Sequence, residues 1–250
     1  MDLIHIEYKD DVAVIKLANT VTNPINLQLV TELKEGLQTI QKDSMGSVVL
    51  SSSNSKFFSI GLDIPSLYDL SKKDFAVFYK RFNRMCIDLY TLPIPTVASV
   101  TGHAVAGGCI LAVCCDYRVI AEGKKLMGLN EVKLGVPIPY PADCILRSLV
   151  GGRIARDIVD TGKFYPPEIL LQMGLVDCVV PLPDVLPKSI EMAKVLGGLP
   201  RKAFAIIKRS RIEGIEEQIL QKLEEKEQFF MECWFSKEGR NRLKDAMKKF

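Results

Sequence analysis

The stretch LMGLNEVKLGVPIP, residues 126–139, carries one carboxylate, Glu131, among apolar and glycine residues, with Lys133 the only other charge. An ionised carboxylate in apolar surroundings is costly, and its pKa tends to rise. A carboxyl that titrates near neutrality is suited to shuttling a proton. The same window also admits a surface glutamate on a strand edge, or one paired with Lys133 or Arg118. Two glycine-bearing stretches supply the remaining candidates. In KFFSIGLDI, residues 56–64, Gly61 follows a β-like run and either lets the backbone approach a ligand or satisfies a turn that needs positive φ. In GHAVAGGCILAVCCD, residues 102–116, Gly107 and Gly108 stand where a loop enters a helix of small residues. The free N–H groups of a helix start can receive an oxyanion or a phosphate, although tight helix packing accounts for two glycines as well. Other chemistries have little material. Neither G-x-G-x-x-G nor G-x-x-x-x-G-K-[ST] occurs. With only His5 and His103, and seven cysteines without a C-x-x-C pair, no metal site and no Ser-His-Asp arrangement is expected.

Positioning these residues falls to alternating strands and helices. Strand patterns at 3–8 and 12–18 precede an amphipathic helix over 27–43, and buried β-branched strands follow at 47–53 and 95–102, with a helix near 73–91 between them. The small-residue helix at 106–115 leads into a strand at 116–123. That alternation predicts an α/β layered core with parallel pairing. After about residue 140 the pattern turns helical, at 140–150, 152–161, 166–173, 187–197, 201–212 and 214–234, with one short strand at 177–181. We therefore expect an α/β core over 1–190 and a helical region over 191–250.

Composition bounds the rest. The 250 residues are 48% hydrophobic and 25% charged, enough for one sizeable core with an appendage. The +3 charge comes from 33 basic and 30 acidic residues spread along the chain, so neither nucleic acid nor an anionic membrane surface is an expected partner. The short basic strings YKRFNR, 79–84, and KRSR, 208–211, read as solvated helix faces. No apolar run reaches the about 18 residues of a membrane span, and MDLIHIEYKDDVAVIKL alternates rather than forming a leader. An odd set of cysteines, several in apolar runs, fits reduced thiols in a cytoplasmic compartment, with the mitochondrial matrix the expectation for a processed form. The terminal KKF is not a peroxisomal address.

FFSIGLDI, GHAVAGGCILAVCCDYR and GLNEVKLGV, in this order and at these separations, resemble the crotonase (enoyl-CoA hydratase/isomerase) superfamily. The resemblance extends from NPIN at 23–26 through GLVDCVVP at 174–181 to FSKEGRNRLKDAMKKF at 235–250. It implies a spiral of ββα units with a helical C-terminal trimerisation region, and hence a homotrimer or a dimer of trimers. It also implies an acyl-CoA thioester substrate and no cofactor beyond the CoA that the substrate carries. Carried over residue by residue, the oxyanion hole falls on the backbone N–H groups of Leu62 and Gly107. A donor of that kind is typically worth on the order of 3 kcal/mol of barrier. Lys56, Ser59, Ile60, Gly61 and Asp63 fall on the CoA-binding segment beside the first donor, and Gly108 and Ile110 lie beside the second.

One departure narrows the implied activity. Hydratases of the superfamily use two glutamates, and the first position here is Ile110, which can neither accept a proton nor hold a water. A 1,3-proton shift needs one base, so the resemblance implies that Glu131 removes a proton from C2 of a 3-enoyl thioester and returns it to C4. Asn130-Glu131, CDYRVIAEGKKLMGLNEVKLGV and GKFYPPEILLQMGLVDCVVP look like the mitochondrial-type Δ3,Δ2-enoyl-CoA isomerases of the superfamily. Dienoyl-CoA isomerisation, thioester hydrolysis, decarboxylation, a non-catalytic acyl-CoA-binding subunit and an RNA-binding member are the alternatives on the same fold. Asp63 reads as a helix N-cap and Asp143 as part of a solvated helix face, while Trp234 and Phe235 either line an acyl tunnel or sit in the core, the reading we favour. Three prolines in VPIPYPADCILRSLVGG, 136–152, give the wall beside Glu131 its own shape.

Overall fold

A computed structural model describes residues 1–248. Strands β1 (Ile4–Lys9) and β2 (Val12–Leu17) form an antiparallel hairpin, and α1 (Leu27–Lys42) follows. The side chain of Asn26 caps α1 by accepting from the Leu29 N–H. Next come β3 (Ser47–Ser52), β4 (Phe57–Ser59), α2 (Ile64–Tyr68) and α3 (Lys72–Tyr90). The pattern repeats as β5 (Thr96–Val100), β6 (His103–Val105) and α4 (Gly107–Val113). It repeats again as β7 (Tyr117–Ala121), β8 (Met127–Gly128), a 3-10 turn over Glu131–Leu134 and α5 (Tyr140–Thr161). The chain ends with β9 (Phe164–Tyr165), α6 (Pro167–Gln172), β10 (Cys178–Val180), α7 (Leu182–Gly197), α8 (Arg201–Phe235) and α9 (Lys237–Met247).

From β3 onward each strand pair splits between two sheets. The large sheet runs β1-β2-β3-β5-β7-β10, parallel except for the β1–β2 hairpin. The small sheet runs β4-β6-β8-β9, with the first three strands parallel and β9 antiparallel. Both faces of the large sheet are covered over its inner strands, which is why β2, β3, β5 and β7 are buried along nearly their whole length, whereas the edge strand β1 alternates apolar and polar residues. Alternation sorts the side chains: Val12, Val14 and Val49 face α7 together with Val185 and Ala193, while Ala13, Ile15, Leu17, Val48 and Leu50 face the main core.

Several boundaries differ from the sequence reading. The helices expected at 201–212 and 214–234 are one, α8, because Gly214 has open space around it and costs only about 1 kcal/mol in a helix interior. The break expected near residue 151 is real, since Gly151 sits at φ 76° inside α5. Helix α7 starts at Leu182, ahead of the expected 187, and Pro187 is accommodated inside it. The division at residue 190 falls within α7, whose Val185 and Ala193 belong to the sheet's own core. Beyond it, Phe230, Trp234 and Leu243 join the main core cluster. Lys249 and Phe250, the end of the segment 235–250, lie outside the described residues. No helix among the described residues is long and apolar enough to cross a membrane.

Candidate active site

The order β4-β6-β8 in the small sheet brings three strand ends side by side, and each leads into one candidate stretch: Ile60–Leu62, Ala106–Gly108 and Asn130–Glu131. The C-terminal edge of parallel strands is where backbone donors and loop residues converge in α/β proteins.

The backbone after β4 is held by the loop that precedes α1. Asn23 donates from Nδ2 to Ser52 Oγ and to Phe58 O, and Ser59 Oγ donates to Asn23 O at 2.7 Å. Ile60 N donates to Thr22 O, Gly61 N to Ser59 Oγ and Asp63 N to Ile25 O. Leu62 N lies between them and donates to no atom of the described residues. After β6 the chain turns at Ala106, with φ 48° and ψ −117°, a conformation alanine adopts only at a cost of order 1–3 kcal/mol. That turn opens α4 and leaves the Gly107 N–H likewise without a partner among the described residues. The two free donors are close together, since a Cβ built on Gly107 would lie 3.3 Å from Leu62 N.

Glu131 opens the 3-10 turn after β8 and is only 5% exposed. Its Oε2 is buried without a hydrogen-bond partner among the described residues, as is Asn130 Oδ1. Burial raises its pKa from 4.5 to about 7, against the lowering effect of the backbone N–H groups of Glu131 and Asn130. The pairings left open by the sequence are not made: Lys133 is exposed at the rim, and Arg118 bonds to Asp177 at 3.1 Å. The carboxyl and the two free N–H groups share one cavity of about 400 Å³. Such an arrangement can take a proton from a carbon beside a carbonyl while two donors stabilise the oxygen that gains charge.

Of the residues that the family resemblance assigns to the site, Ile60, Leu62, Gly107, Ile110 and Glu131 line this cavity. The others act from outside it. Ser59 is fully buried and its hydroxyl is committed to Asn23 and Gly61, so it shapes the loop instead of facing a ligand. Gly108 lets α4 pack on β4, because a Cβ there would collide with Ser59 O. Asp63 caps α2, accepting from Ser66 N at 3.3 Å. Lys56 is exposed, with its Nζ 5.7 Å from the centre of the Phe57 ring. Asp143 is part-exposed on its helix face, pairs there with Arg147 at 2.9 Å, and lies outside the cavity. Among the described residues no group of three or more His, Cys, Asp or Glu is placed to hold a metal ion.

A family model for enoyl-CoA hydratase/isomerase matches residues 7–250. The chain belongs to the enoyl-CoA hydratase/isomerase family. Within that family it is 35% identical over 189 residues to the mitochondrial enoyl-CoA delta isomerase 1 of Mus musculus, covering 75% of this chain and 65% of that protein. It is 32% identical over 199 residues to the Homo sapiens protein of the same name, covering 79% of this chain and 66% of that protein. The matched region thus spans just under two thirds of these relatives. The crystal structure of human mitochondrial Δ3,Δ2-enoyl-CoA isomerase superposes with a TM-score of 0.95 at 27% identity, covering 99% of this chain and 97% of that one. The architecture is therefore the crotonase fold, with two mixed sheets and C-terminal helices.

This member of the enoyl-CoA hydratase/isomerase family completes its cavity with residues that local sequence did not assign. Phe230 and Trp234 of α8 and Arg242, Asp245 and Ala246 of α9 complete its lining, together with Ile64 and Phe164. Trp234 is both core, at 1% exposure, and cavity wall, so the assignment to core alone was incomplete. The only local signal is the four-residue spacing of Phe230 and Trp234, which places both on one helix face.

Proposed function

We propose that this chain is a Δ3,Δ2-enoyl-CoA isomerase that works through one base. Glu131, as carboxylate, takes a proton from C2 of a 3-enoyl thioester. The electron pair moves to the thioester oxygen as the dienolate forms, and the N–H groups of Leu62 and Gly107 receive that oxygen. Glu131, now the acid, returns the proton to C4, leaving the double bond between C2 and C3. The observation that carries this reading is a buried carboxyl with a pKa of about 7 in one cavity with two unpartnered backbone donors. Ile110, 1% exposed, lines the same cavity at the position where a hydratase would need its second carboxylate. The names of the mouse and human relatives accord with it.

In this reading Ile60, Leu62 and Ile110 touch the substrate, while Ser59, Gly61 and Gly108 shape the backbone around it. Lys56 and Asp63 flank the path of the CoA moiety, and Lys56 meets a phosphate. The C-terminal helices supply subunit contacts of a homotrimer or a dimer of trimers. The mitochondrial compartment in the names of the mouse and human relatives supports a matrix location for a processed form and lends nothing to a cytoplasmic one.

The test is a paired assay of wild type and Glu131→Gln with 3-hexenoyl-CoA, alongside hydration of crotonyl-CoA. Isomerisation that falls by about 10²–10⁴-fold in the variant, with hydration slight or absent in both, supports the one-base shuttle. Strong hydration by wild type, or isomerisation that survives the substitution, overturns it.

A further inference from the structure

We propose that Asn130 is a positioning residue for the proton shuttle, its side-chain oxygen accepting the O–H of neutral Glu131, an inference that rests on the isomerase reading above. Asn130 stands at the N-cap of the 3-10 turn that Glu131 opens, where an asparagine commonly spends its side-chain oxygen on a free N–H of the first turn. This one makes no such bond. The backbone closes the turn instead, with Lys133 N donating to Asn130 O at 2.9 Å. Asn130 Oδ1 is nevertheless buried without a partner among the described residues, and Asn130 lines the same cavity as Glu131. Glu131 Oε2 is in the same condition. Two consecutive residues thus bury two acceptors and no donor. A proton on the carboxyl supplies the donor, and one hydrogen bond then satisfies both atoms.

The shuttle needs such a partner. Glu131 is a carboxylate when it takes the proton and a carboxylic acid when it returns it, so its charge changes in mid-reaction while C2 and C4 stay in place. A lysine or arginine against it would stabilise the carboxylate alone and keep the acid from forming. A neutral amide oxygen holds the acid, oriented, without that penalty. The other groups around Glu131 do not take this role. Tyr79 of α3 and Cys109 of α4 feel its charge, and burial pushes both well above their ordinary values, so both stay neutral near pH 7. Lys133 of the turn and Arg242 and Asp245 of α9 line the cavity but are exposed to solvent. Helix α8 faces it with the uncharged Phe230 and Trp234.

The experiment titrates the Glu131 carboxyl carbon by 13C NMR in wild type, Asn130→Ala and Asn130→Asp, with Glu131→Gln identifying the resonance. Steady-state kinetics with 3-hexenoyl-CoA over pH 5–9 runs alongside. Loss of the acceptor in Asn130→Ala destabilises the neutral acid and should lower its pKa by about half a unit to one unit. The like charge in Asn130→Asp should raise it by about one unit or more. In each variant the rise of kcat/KM with pH should move with the titration. In Asn130→Ala kcat should fall about ten- to a hundredfold, with KM changed less than about threefold. A side chain that only supports the turn moves neither titration. An unchanged titration in both variants, or an upward shift in Asn130→Ala, overturns the proposal. So does a KM that rises while the titration stays in place, which would mean that the amide serves the substrate. If wild type does not isomerise 3-hexenoyl-CoA, the isomerase reading fails by itself, and opposite shifts in the two variants still establish the bond between Asn130 and Glu131.

Discussion

A Cβ built on Gly61 would stand 2.7 Å from the backbone nitrogen of Gly107 and 3.0 Å from Val105 O. Gly61 itself has φ 91°, which side chains other than glycine rarely adopt. The two free donors of the site are therefore spaced by glycine, and any side chain at residue 61 pushes them apart. Gly61→Ala is expected to lower kcat by about 10²–10³-fold, the effect of losing one oxyanion donor. Strain should also cost about 1–3 kcal/mol of stability. Steady-state kinetics with thermal unfolding separates the two effects, and a folded variant with wild-type kcat would show that this spacing does not matter.

On the proposed one-base mechanism, Glu131 should make activity rise with pH. The base must be deprotonated, and its pKa is about 7, so kcat/KM should climb through that pH and level off above it. A profile flat from pH 5 to 9 would mean that another group moves the proton.

The same carboxyl should make stability fall over the same range. The native pKa lies above the unfolded value of 4.5, so between 4.5 and about 7 the native state holds a proton that the unfolded state has lost. Below 4.5 both states are protonated and there is no penalty. Above about 7 the native state carries a buried charge, at a cost on the order of 3 kcal/mol. Glu131→Gln should therefore be more stable than wild type at pH 8 and show little difference at pH 4.5. Thermal melts of both proteins at the two pH values read this directly, and a variant no more stable at pH 8 would contradict it.

The large sheet was legible because each of its central strands is a buried, β-branched run with turns at both ends, as at 47–53 and 95–102. The small sheet was not, because β4, β6, β8 and β9 are two or three residues long and no period can be counted over so few. Yet that sheet assembles the site, and only the family resemblance tied its three stretches together beforehand. The burial of Glu131 was equally undecided by its window, since it depends on α8 and α9 from about a hundred residues away. Lys208 shows the opposite error: a basic string that read as a solvated face contains a lysine 2% exposed, paired with Asp116.

On the proposed mechanism, Ile110 decides between two outcomes for the same enolate chemistry. It is 1% exposed in the cavity, so Ile110→Glu would place a second carboxyl beside the acyl chain at a cost of about 2–4 kcal/mol in stability. Crotonyl-CoA hydration, expected to be slight in wild type, should become measurable in Ile110→Glu and stay slight in Ile110→Gln, which adds polarity without a base. Equal hydration by the two variants would mean that water entry, and not a missing carboxylate, limits the wild-type protein.

Asp116 fixes the helix that carries the aromatic wall. It accepts from Thr96 N and Thr96 Oγ1 at 3.0 Å each and from Lys208 Nζ and Arg211 at 2.6 Å each. Lys208 also donates to Ile94 O at 3.2 Å, so the start of α8 is tied to both ends of the turn into β5. Its ammonium is 2% exposed, and burial lowers its pKa despite the carboxylate beside it. Asp116→Ala leaves that buried cation unpaired and should cost about 3–5 kcal/mol. Lys208→Met removes the buried cation while Asp116 keeps Thr96 and Arg211, so it should cost clearly less. Denaturant unfolding of the two variants ranks them, and the reverse order would show that Arg211 and Thr96 cannot satisfy the carboxylate without the lysine.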